Sequence, residues 1–323
     1  MQAILAVTLP FFALVLCGYL AARAGVLQES AIPGLNGFVL FFALPCLLLR
    51  FGMNTPVAEL LDPALLGLYL LVALLMVGAT IAATLSARVR LKDAAFGALV
   101  AAFPNTGFMG VPLLVALLGP AAAGPVICTV LADLFVTSSL CLGLARAHDA
   151  GPGSAGRAAR QALRGALSNP LPWAIALGAL ASSTGLRPPG PLDAVIKMLA
   201  DAATPVALFT IGAVLWRAGR HAHSRTPVAL YLPVAAFKLL LHPALVWGLG
   251  RAAQALGPGI GPSDFQLQVL TLAAALPSAS NVSLLAERYG ADNGRVARII
   301  MASTALAFLS FSGLAWLLGA QGG

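Results

Sequence analysis

Charged side chains are scarce in this chain of 323 residues. Asp, Glu, Lys and Arg make up only 9% of it, whereas 59% of the residues are hydrophobic and the mean hydropathy is +0.92. A soluble globular domain carries roughly 25% charged residues. The composition therefore excludes an ordinary soluble domain and predicts a polytopic membrane protein in contact with a lipid bilayer.

Cysteine is also rare, and the motifs of several enzyme classes are missing. The four cysteines fall inside apolar runs, where they behave as small apolar residues and not as a disulfide framework. The sequence contains no His-Glu-x-x-His, Cys-x-x-Cys or Gly-x-x-x-x-Gly-Lys, which argues against a metalloprotease, a redox protein or an ATP-driven pump. His221 and His223 provide too few ligands for a metal. We therefore expect no enzyme, no cofactor and no metal site.

Apolar runs of membrane-spanning length fill the chain. Cutting it at charges and at Pro/Gly clusters gives ten runs near the ~20 residues that a bilayer core requires. The first run has no basic segment before it and reads as a retained span, not a cleaved signal peptide. The runs are 3–22, 34–52, 63–86, 94–118, 123–145, 169–186, 194–216, 228–250, 265–286 and 296–318.

Basic residues are distributed unevenly between alternate loops. The net charge of +8 is scattered along the chain, which argues against nucleic-acid binding. One set of loops contains Arg23, Arg88, Arg90, Lys92, Arg146, Arg157, Arg160, Arg164, Arg217, Arg220, Arg225, Arg288, Arg295 and Arg298, and the other set contains Arg50, Arg187 and Arg251. Because cytoplasmic loops are enriched in Lys and Arg, the pattern predicts both termini outside an inner (plasma) membrane and the central loop in the cytoplasm.

The central loop divides the chain into two halves of five spans each. Residues 147–168 are rich in Gly, Ala and Arg and read as a cytoplasmic linker between repeats 1–146 and 169–323. An odd number of spans per half inserts the second half upside down, which is the inverted-repeat plan of many secondary transporters. Prolines occupy corresponding spans of the two halves, in the pairs Pro10 and Pro172, Pro45 and Pro205, and Pro104 and Pro277.

One helix-breaking stretch interrupts the fourth span of each half. The first is Pro104-Asn105-Thr106-Gly107-Phe108-Met109-Gly110-Val111-Pro112, and the second is Pro277-Ser278-Ala279-Ser280-Asn281. Proline removes a backbone donor, so we expect the backbone to be partly unwound in both 104–112 and 277–281. Non-helical backbone at membrane depth is tolerated where it is buried in protein or lines a cavity. Two interrupted spans in corresponding positions indicate a transporter.

Polar side chains accompany both breaks. The N-termini of half-helices favour anions, and Asn105, Thr106 and Asn281 add neutral donors and acceptors beside them. Alternatively, these side chains merely satisfy backbone groups that the prolines free. Gly107 and Gly110 are expected to allow close packing of the crossing helices.

Ionisable residues inside spans are costly and are candidates for function. Asp133, Lys238, His242 and Asp201 qualify. Lys238 can pair with Asp133, help to hold an anion or reach toward a membrane surface, and we favour the buried pair. The role of His242 stays open. Lys197 and Asp201, four residues apart, are expected to form a structural ion pair.

These motifs resemble the auxin efflux carrier family, which includes bacterial members described as malonate transporters. The resemblance rests on the two stretches above, on Thr204-Pro205-Val206-Ala207-Leu208-Phe209-Thr210-Ile211-Gly212, and on Lys238 before His242-Pro243. It implies an all-α fold of ten transmembrane helices in a 5+5 inverted repeat, with broken helices that cross at Pro104 and Pro277. Spans one, two, six and seven would form a scaffold and a homodimer interface, and the others would move as an elevator.

The resemblance and the polar stretches together give the expected site. Substrate binding is assigned to Pro104, Asn105, Thr106, Pro277, Ser280 and Asn281, and packing at the crossing to Gly107, Gly110 and Pro112. The long hydrophilic central loop of the large plant members is missing, so control through that loop is not expected here. We expect a secondary carrier of small organic anions, such as malonate or auxin-like acids. A proton- or sodium-coupled symporter, an antiporter of the same fold, and a membrane sensor of the anion are the alternatives.

Overall fold

The computed structural model describes residues 2–56, 60, 62–147, 160, 167–220, 226–257 and 260–320. Within these residues the chain is helical, without a β-strand. Most of the expected linker 147–168, and both His221 and His223, lie outside them. The described helices are α1 Gln2–Arg23, α2 Glu29–Asn54, α3 Pro63–Thr84, α4 Leu91–Ala102, α5 Thr106–Leu118, α6 Pro120–Arg146, α7 Pro170–Thr184, α8 Gly190–Arg220, α9 Val228–Ala255, α10 Asp264–Ala274, α11 Val282–Arg288 and α12 Asn293–Leu317.

Seven of the described helices are long and apolar enough to cross a membrane: α1, α2, α3, α6, α8, α9 and α12. Large apolar side chains on their outer surfaces, such as Met198 and Leu309, are more than two-thirds exposed and suit a lipid environment. The other three expected spans correspond to α7, which has 15 residues, and to the interrupted pairs α4/α5 and α10/α11. The chain is therefore a polytopic membrane protein.

Local sequence signals explain where several helices begin. Asp62 accepts hydrogen bonds from the N–H groups of Ala64 and Leu65, and Pro63 opens α3. Ser263 and Gln266 form a reciprocal capping box at the start of α10. These caps pair donors that would otherwise be unsatisfied at the helix ends.

The helices pack in two groups. In the first, α1 lies along α8 and α2 lies along α7 and α8. In the second, α4 packs against α3 and α6, and α9 against α10 and α12. The interrupted helices α4/α5 and α10/α11 thus belong to the second group, and α12 also contacts α1 and α8 of the first group.

Glycines bring the helices of the first group into backbone contact. A Cβ atom on Gly18 or Gly212 would overlap the backbone of α8 or α1, respectively. A Cβ on Gly178 would lie 2.6 Å from the carbonyl oxygen of Leu49, and one on Gly52 would lie 3.1 Å from Cα of Gly178. Small residues at such contacts let helices approach closely, which is how membrane helices gain packing energy without a hydrophobic driving force.

Gly212→Ala is expected to destabilise the protein, because its new methyl group has no room against the backbone of α1. Overpacking costs about 1–3 kcal/mol, which should appear as a lower melting temperature in detergent. Gly78→Ala is the matched control, since Gly78 lies within α3 and a Cβ there meets nothing within 4 Å. Equal melting temperatures for the two variants would contradict close packing of α1 on α8.

Candidate functional site

The two helix breaks differ in length. In the first, α4 ends at Ala102 and helical structure resumes at Thr106, as a π-helical turn over Thr106–Gly110 that continues to Leu118. Pro112 lies in the first turn of the α-helical part, where a missing N–H costs little. The partial unwinding expected over 104–112 is therefore confined to its beginning, because only 103–105 leave the helix. The second break is longer and separates Ala274 from Val282.

The two breaks meet and exchange backbone hydrogen bonds. Pro104 and Ser278 form an isolated antiparallel bridge. The N–H of Asn105 donates to the carbonyl of Pro277 over 2.8 Å, and the N–H of Ala279 donates to the carbonyl of Phe103 over 3.0 Å. The structure thus brings together the two stretches that the sequence singled out.

Serine hydroxyls satisfy further backbone groups that the breaks release. The carbonyl of Val100 would pair with residue 104 in a continuous helix, but Pro104 has no N–H. It accepts instead from Ser278 Oγ at 2.7 Å, and the N–H of Ser278 donates to Ser303 Oγ at 3.2 Å. Buried backbone groups at this depth are therefore paired by serines, as the low-polarity environment requires.

Four polar side chains at the crossing make no hydrogen bond with any residue that the structure describes: Asn105, Thr106, Ser280 and Asn281. The first three are buried and Asn281 is half-buried. The Thr106 hydroxyl is fully enclosed and has no partner in the described part of the chain. Since buried polar groups are normally paired, the enclosed Thr106 hydroxyl is unusual. The asparagine amides do not serve the freed backbone groups, which was the alternative to substrate contact.

The glycines of the first stretch have different surroundings. A Cβ on Gly110 would approach the Leu276 side chain to 2.7 Å, so Gly110 packs at the crossing as expected. A Cβ on Gly107 would meet nothing within 4 Å. Gly107 therefore borders open space next to Thr106 and is not a packing residue.

A buried carboxylate lies in α6. Asp133 begins a π-helical turn over Asp133–Thr137 and is fully buried. Its carboxylate accepts hydrogen bonds from the Tyr69 hydroxyl at 2.8 Å and from the Thr137 hydroxyl at 3.0 Å. Such π-helical turns are frequent at functional sites.

A buried ammonium lies in α9, again in a π-helical turn, Phe237–Leu241. Lys238 Nζ donates to the carbonyl of Ala274 at 2.6 Å and lies 3.1 Å from His242 Nδ1. Because an ammonium is only a donor, His242 Nδ1 accepts and the ring proton is assigned to Nε2, which is buried without a partner among the described residues. The ammonium and the Asp133 carboxylate therefore do not form the direct pair that the sequence favoured, since each is held by other groups. The Tyr69 ring, whose hydroxyl binds Asp133, and the His242 ring, whose Nδ1 binds Lys238, have centroids 6.0 Å apart.

A cavity of about 1140 Å³ lies between the two helix groups. It reaches Ser283 and Leu284 of α11, close to Asn281, and is bordered by α2 and α8. Glu29, Glu287, Asp292 and Arg217 contribute its charges, and Arg217 lies 3.9 Å from Glu29. None of the four polar side chains of the crossing lines the cavity, which approaches the crossing through Ser283 and Leu284.

Sequence analysis missed several residues that build this region. Tyr69, Thr137, Ser278 and Ser303 carry its hydrogen bonds, but hydroxyl residues are common in membrane helices and give no distinct signal. Arg295 was counted only as a loop charge, yet it is almost fully buried. Its guanidinium donates to the carbonyls of Asp93 and Leu230, which joins α12 to the beginnings of α4 and α9.

This fold and site define the class as a membrane transport protein with two crossing interrupted helices. A family model described as "Membrane transport protein" matches residues 3–151 and 154–315. The chain therefore belongs to this family, that of the auxin efflux carriers indicated by its motifs, and is not an enzyme. No group of His, Cys, Asp or Glu among the described residues could hold a metal ion.

Relatives of known sequence agree with this class. A provisionally named malonate transporter of Rhizobium meliloti is 31% identical over 98% of this chain and 97% of its own length. An uncharacterized transporter of Methanothermobacter thermautotrophicus is 29% identical over 92% of both chains. The uncharacterized transporter YfdV of Escherichia coli is 25% identical over 87% of both chains.

Proposed function

We propose that the protein is a secondary carrier of small organic anions, with the substrate bound at the crossing of α4/α5 and α10/α11. The observation that carries this proposal is the enclosed Thr106 hydroxyl, which has no partner among the described residues, together with Asn105, Ser280 and Asn281 beside it, whose side chains bond to no described residue. Unpaired polar groups in a buried site are costly unless a ligand or water pairs them. The malonate-related name of one relative supports a mono- or dicarboxylate substrate.

The chemistry of the crossing suits an anion. Helix α5 begins at Thr106, so its first N–H groups and the positive end of its dipole lie beside the polar cluster. Amide and hydroxyl donors add hydrogen bonds to a carboxylate without the strong desolvation cost of a buried cation. The crossing residues 103–106 and 277–281 contain no carboxylate, which disfavours a cation/proton antiporter.

The cavity itself adds little attraction for an anion. It is lined by three carboxylates and one guanidinium, which lies near one of the three. Affinity for an organic anion must therefore come from the crossing. This charge pattern is the one observation that favours a cation as substrate, so cations belong in the binding test.

We further propose that the two halves, 1–146 and 169–323, are inverted repeats and give ten spans. The bonds at the crossing pair equivalent segments reciprocally. In an inverted repeat, span one corresponds to span six and span two to span seven. The glycine contacts agree with this correspondence, since Gly18 of the first span contacts the seventh span and Gly178 of the sixth span contacts the second. In this plan α1, α2, α7 and α8 are the scaffold, and the second helix group carries the crossing as an elevator. The basic loops and the cavity then face the cytoplasm and both termini face outward.

We propose that the scaffold packs against a second copy of the chain in a homodimer. Lys197 and Asp201 of α8 are both exposed, and the ion pair expected between them is not formed. Exposed charges on a membrane helix are costly toward lipid. In a homodimer about a two-fold axis, Lys197 of one subunit can pair with Asp201 of the other.

Lys197→Glu is expected to shift the purified protein from dimer to monomer, because it places like charges across this proposed interface. Native mass spectrometry in detergent measures the change. The double variant Lys197→Glu with Asp201→Lys restores opposite charges and should recover the dimer. A double variant that stays monomeric would argue against this pairing.

A thermal-shift panel tests the proposed substrate class. Malonate and other mono- and dicarboxylates are added to purified protein with and without sodium and at two pH values. A ligand that binds only the folded state raises its melting temperature by mass action, so we expect a shift with a carboxylate. Shifts with sodium or pH alone, and none with any carboxylate, would replace this proposal with an ion-exchange function.

A further inference from the structure

The break in the second interrupted helix leaves the backbone carbonyl of Ala274 without its helical partner, and the charged side chain of Lys238 donates a hydrogen bond to it. In a continuous helix the carbonyl of Ala274 would accept from the N–H of Ser278. That N–H donates to Ser303 Oγ instead, and the carbonyl accepts from Lys238 Nζ at 2.6 Å. One freed group is therefore paired by a neutral hydroxyl and the other by an ammonium.

The ammonium is held firmly in this place. Lys238 is fully buried, and His242 Nδ1 accepts a second hydrogen bond from the ammonium. His242 lies one helical turn after Lys238, so the two acceptors come from α9 itself and from the end of α10. The nearby Asp133 carboxylate, which Tyr69 and Thr137 hold, keeps the region close to neutral.

The end of α10 is the kind of place where broken-helix carriers bind a coupling cation. C-terminal carbonyls of a half-helix carry partial negative charge and attract cations at membrane depth. We propose that the Lys238 ammonium is a tethered cation that occupies this position, so that substrate binding at the crossing needs no free sodium ion. Lys238 acts as a positioning residue, because it fixes the end of α10 three residues before Pro277.

This inference rests on the proposed function for its transport readout, but it also has a readout of its own. In the wild type the Lys238 ammonium already occupies the position beside the Ala274 carbonyl, so a dissolved cation cannot bind there. Removal of the side chain leaves a cation-sized space at this position. A small ammonium ion should then bind the variant and not the wild type. A lysine that only fills space would give no such exchange.

Lys238→Ala in proteoliposomes is the decisive variant. Wild-type carboxylate flux should be the same in sodium, potassium and choline buffers. The variant should lose about tenfold or more of its flux in choline, as expected for loss of a charged hydrogen bond, and methylammonium should restore much of it. Tetramethylammonium, which has no N–H donor, should not. Ser303→Ala is the matched control, since it removes the partner of the other freed group and should not respond to methylammonium.

Thermal shifts separate this inference from the proposed function. Methylammonium should raise the melting temperature of Lys238→Ala but not of wild type or Lys238→Met, even with no carboxylate present. Wild-type flux that requires sodium, or a folded Lys238→Ala that responds to methylammonium no more than Lys238→Met does, would overturn the inference. If wild type moves no carboxylate while the variant is stabilised by methylammonium, the tethered cation stands and the proposed substrate class fails.

Discussion

Asn105→Ala and Asn281→Ala are each expected to lower carboxylate flux about 10- to 100-fold, which corresponds to the loss of one hydrogen bond to a charged ligand. Neither side chain bonds to a described residue, so neither change removes a contact that holds the fold. The melting temperature in detergent should therefore stay close to that of wild type. Uptake into proteoliposomes and melting of the same preparations measure the two effects.

Two control variants test whether the loss of flux is specific to the two asparagines of the crossing. Asn54→Ala removes an asparagine far from the crossing, at the end of α2, and should keep full flux. Ser278→Ala removes the donor to the Val100 carbonyl and should lower the melting temperature as well as flux. Wild-type flux in both asparagine variants would refute substrate contact at the crossing.

Asp133→Ala is expected to destabilise the protein by about 3–5 kcal/mol, because it leaves the buried Lys238 ammonium without a nearby opposite charge. It also leaves the hydroxyls of Tyr69 and Thr137 without their acceptor. Thermal melting in detergent measures the loss. Tyr69→Phe, which removes one hydrogen bond and no charge, should cost clearly less.

A double variant tests whether the two buried charges depend on each other although they do not touch. Asp133→Asn with Lys238→Met removes both charges, so its loss of stability should be smaller than the sum of the two single losses. Additive losses would show that the carboxylate and the ammonium are independent of each other.

The helices and the positions of the two breaks were predictable because both depend on strong local signals, whereas the crossing of the broken helices was implied by the family resemblance. Apolar length gives a span, and the prolines Pro104 and Pro277 each remove a donor that a helix needs, so the positions of both breaks follow from the sequence. The extent of the first break did not follow. A π-helical turn over Thr106–Gly110 restored helical structure sooner than expected, and no local residue pattern announces such a turn.

The partners of the buried charges could not be read from the sequence. From the sequence, Lys238 and Asp133 looked like partners of each other. In the structure each one forms its hydrogen bonds with neutral groups instead. The nearest acceptor of Lys238 is the backbone carbonyl of Ala274. Every residue has a backbone carbonyl, so the sequence gives no sign of this partner.

The packing of individual glycines was not predictable either. Gly107 and Gly110 look equivalent in sequence, but only Gly110 packs at the crossing.

Protection of a cysteine at position 107 tests most directly whether the crossing binds an organic anion. In a background without the four native cysteines, Gly107→Cys would place its thiol in open space beside Thr106, and Gly34→Cys would place one at an exposed position of α2 where nothing lies within 4 Å. Malonate, or the carboxylate found by thermal shift, should slow modification by a charged thiol reagent at position 107 and leave position 34 unchanged. Equal modification rates at position 107 with and without a carboxylate that is known to bind would contradict substrate binding at the crossing.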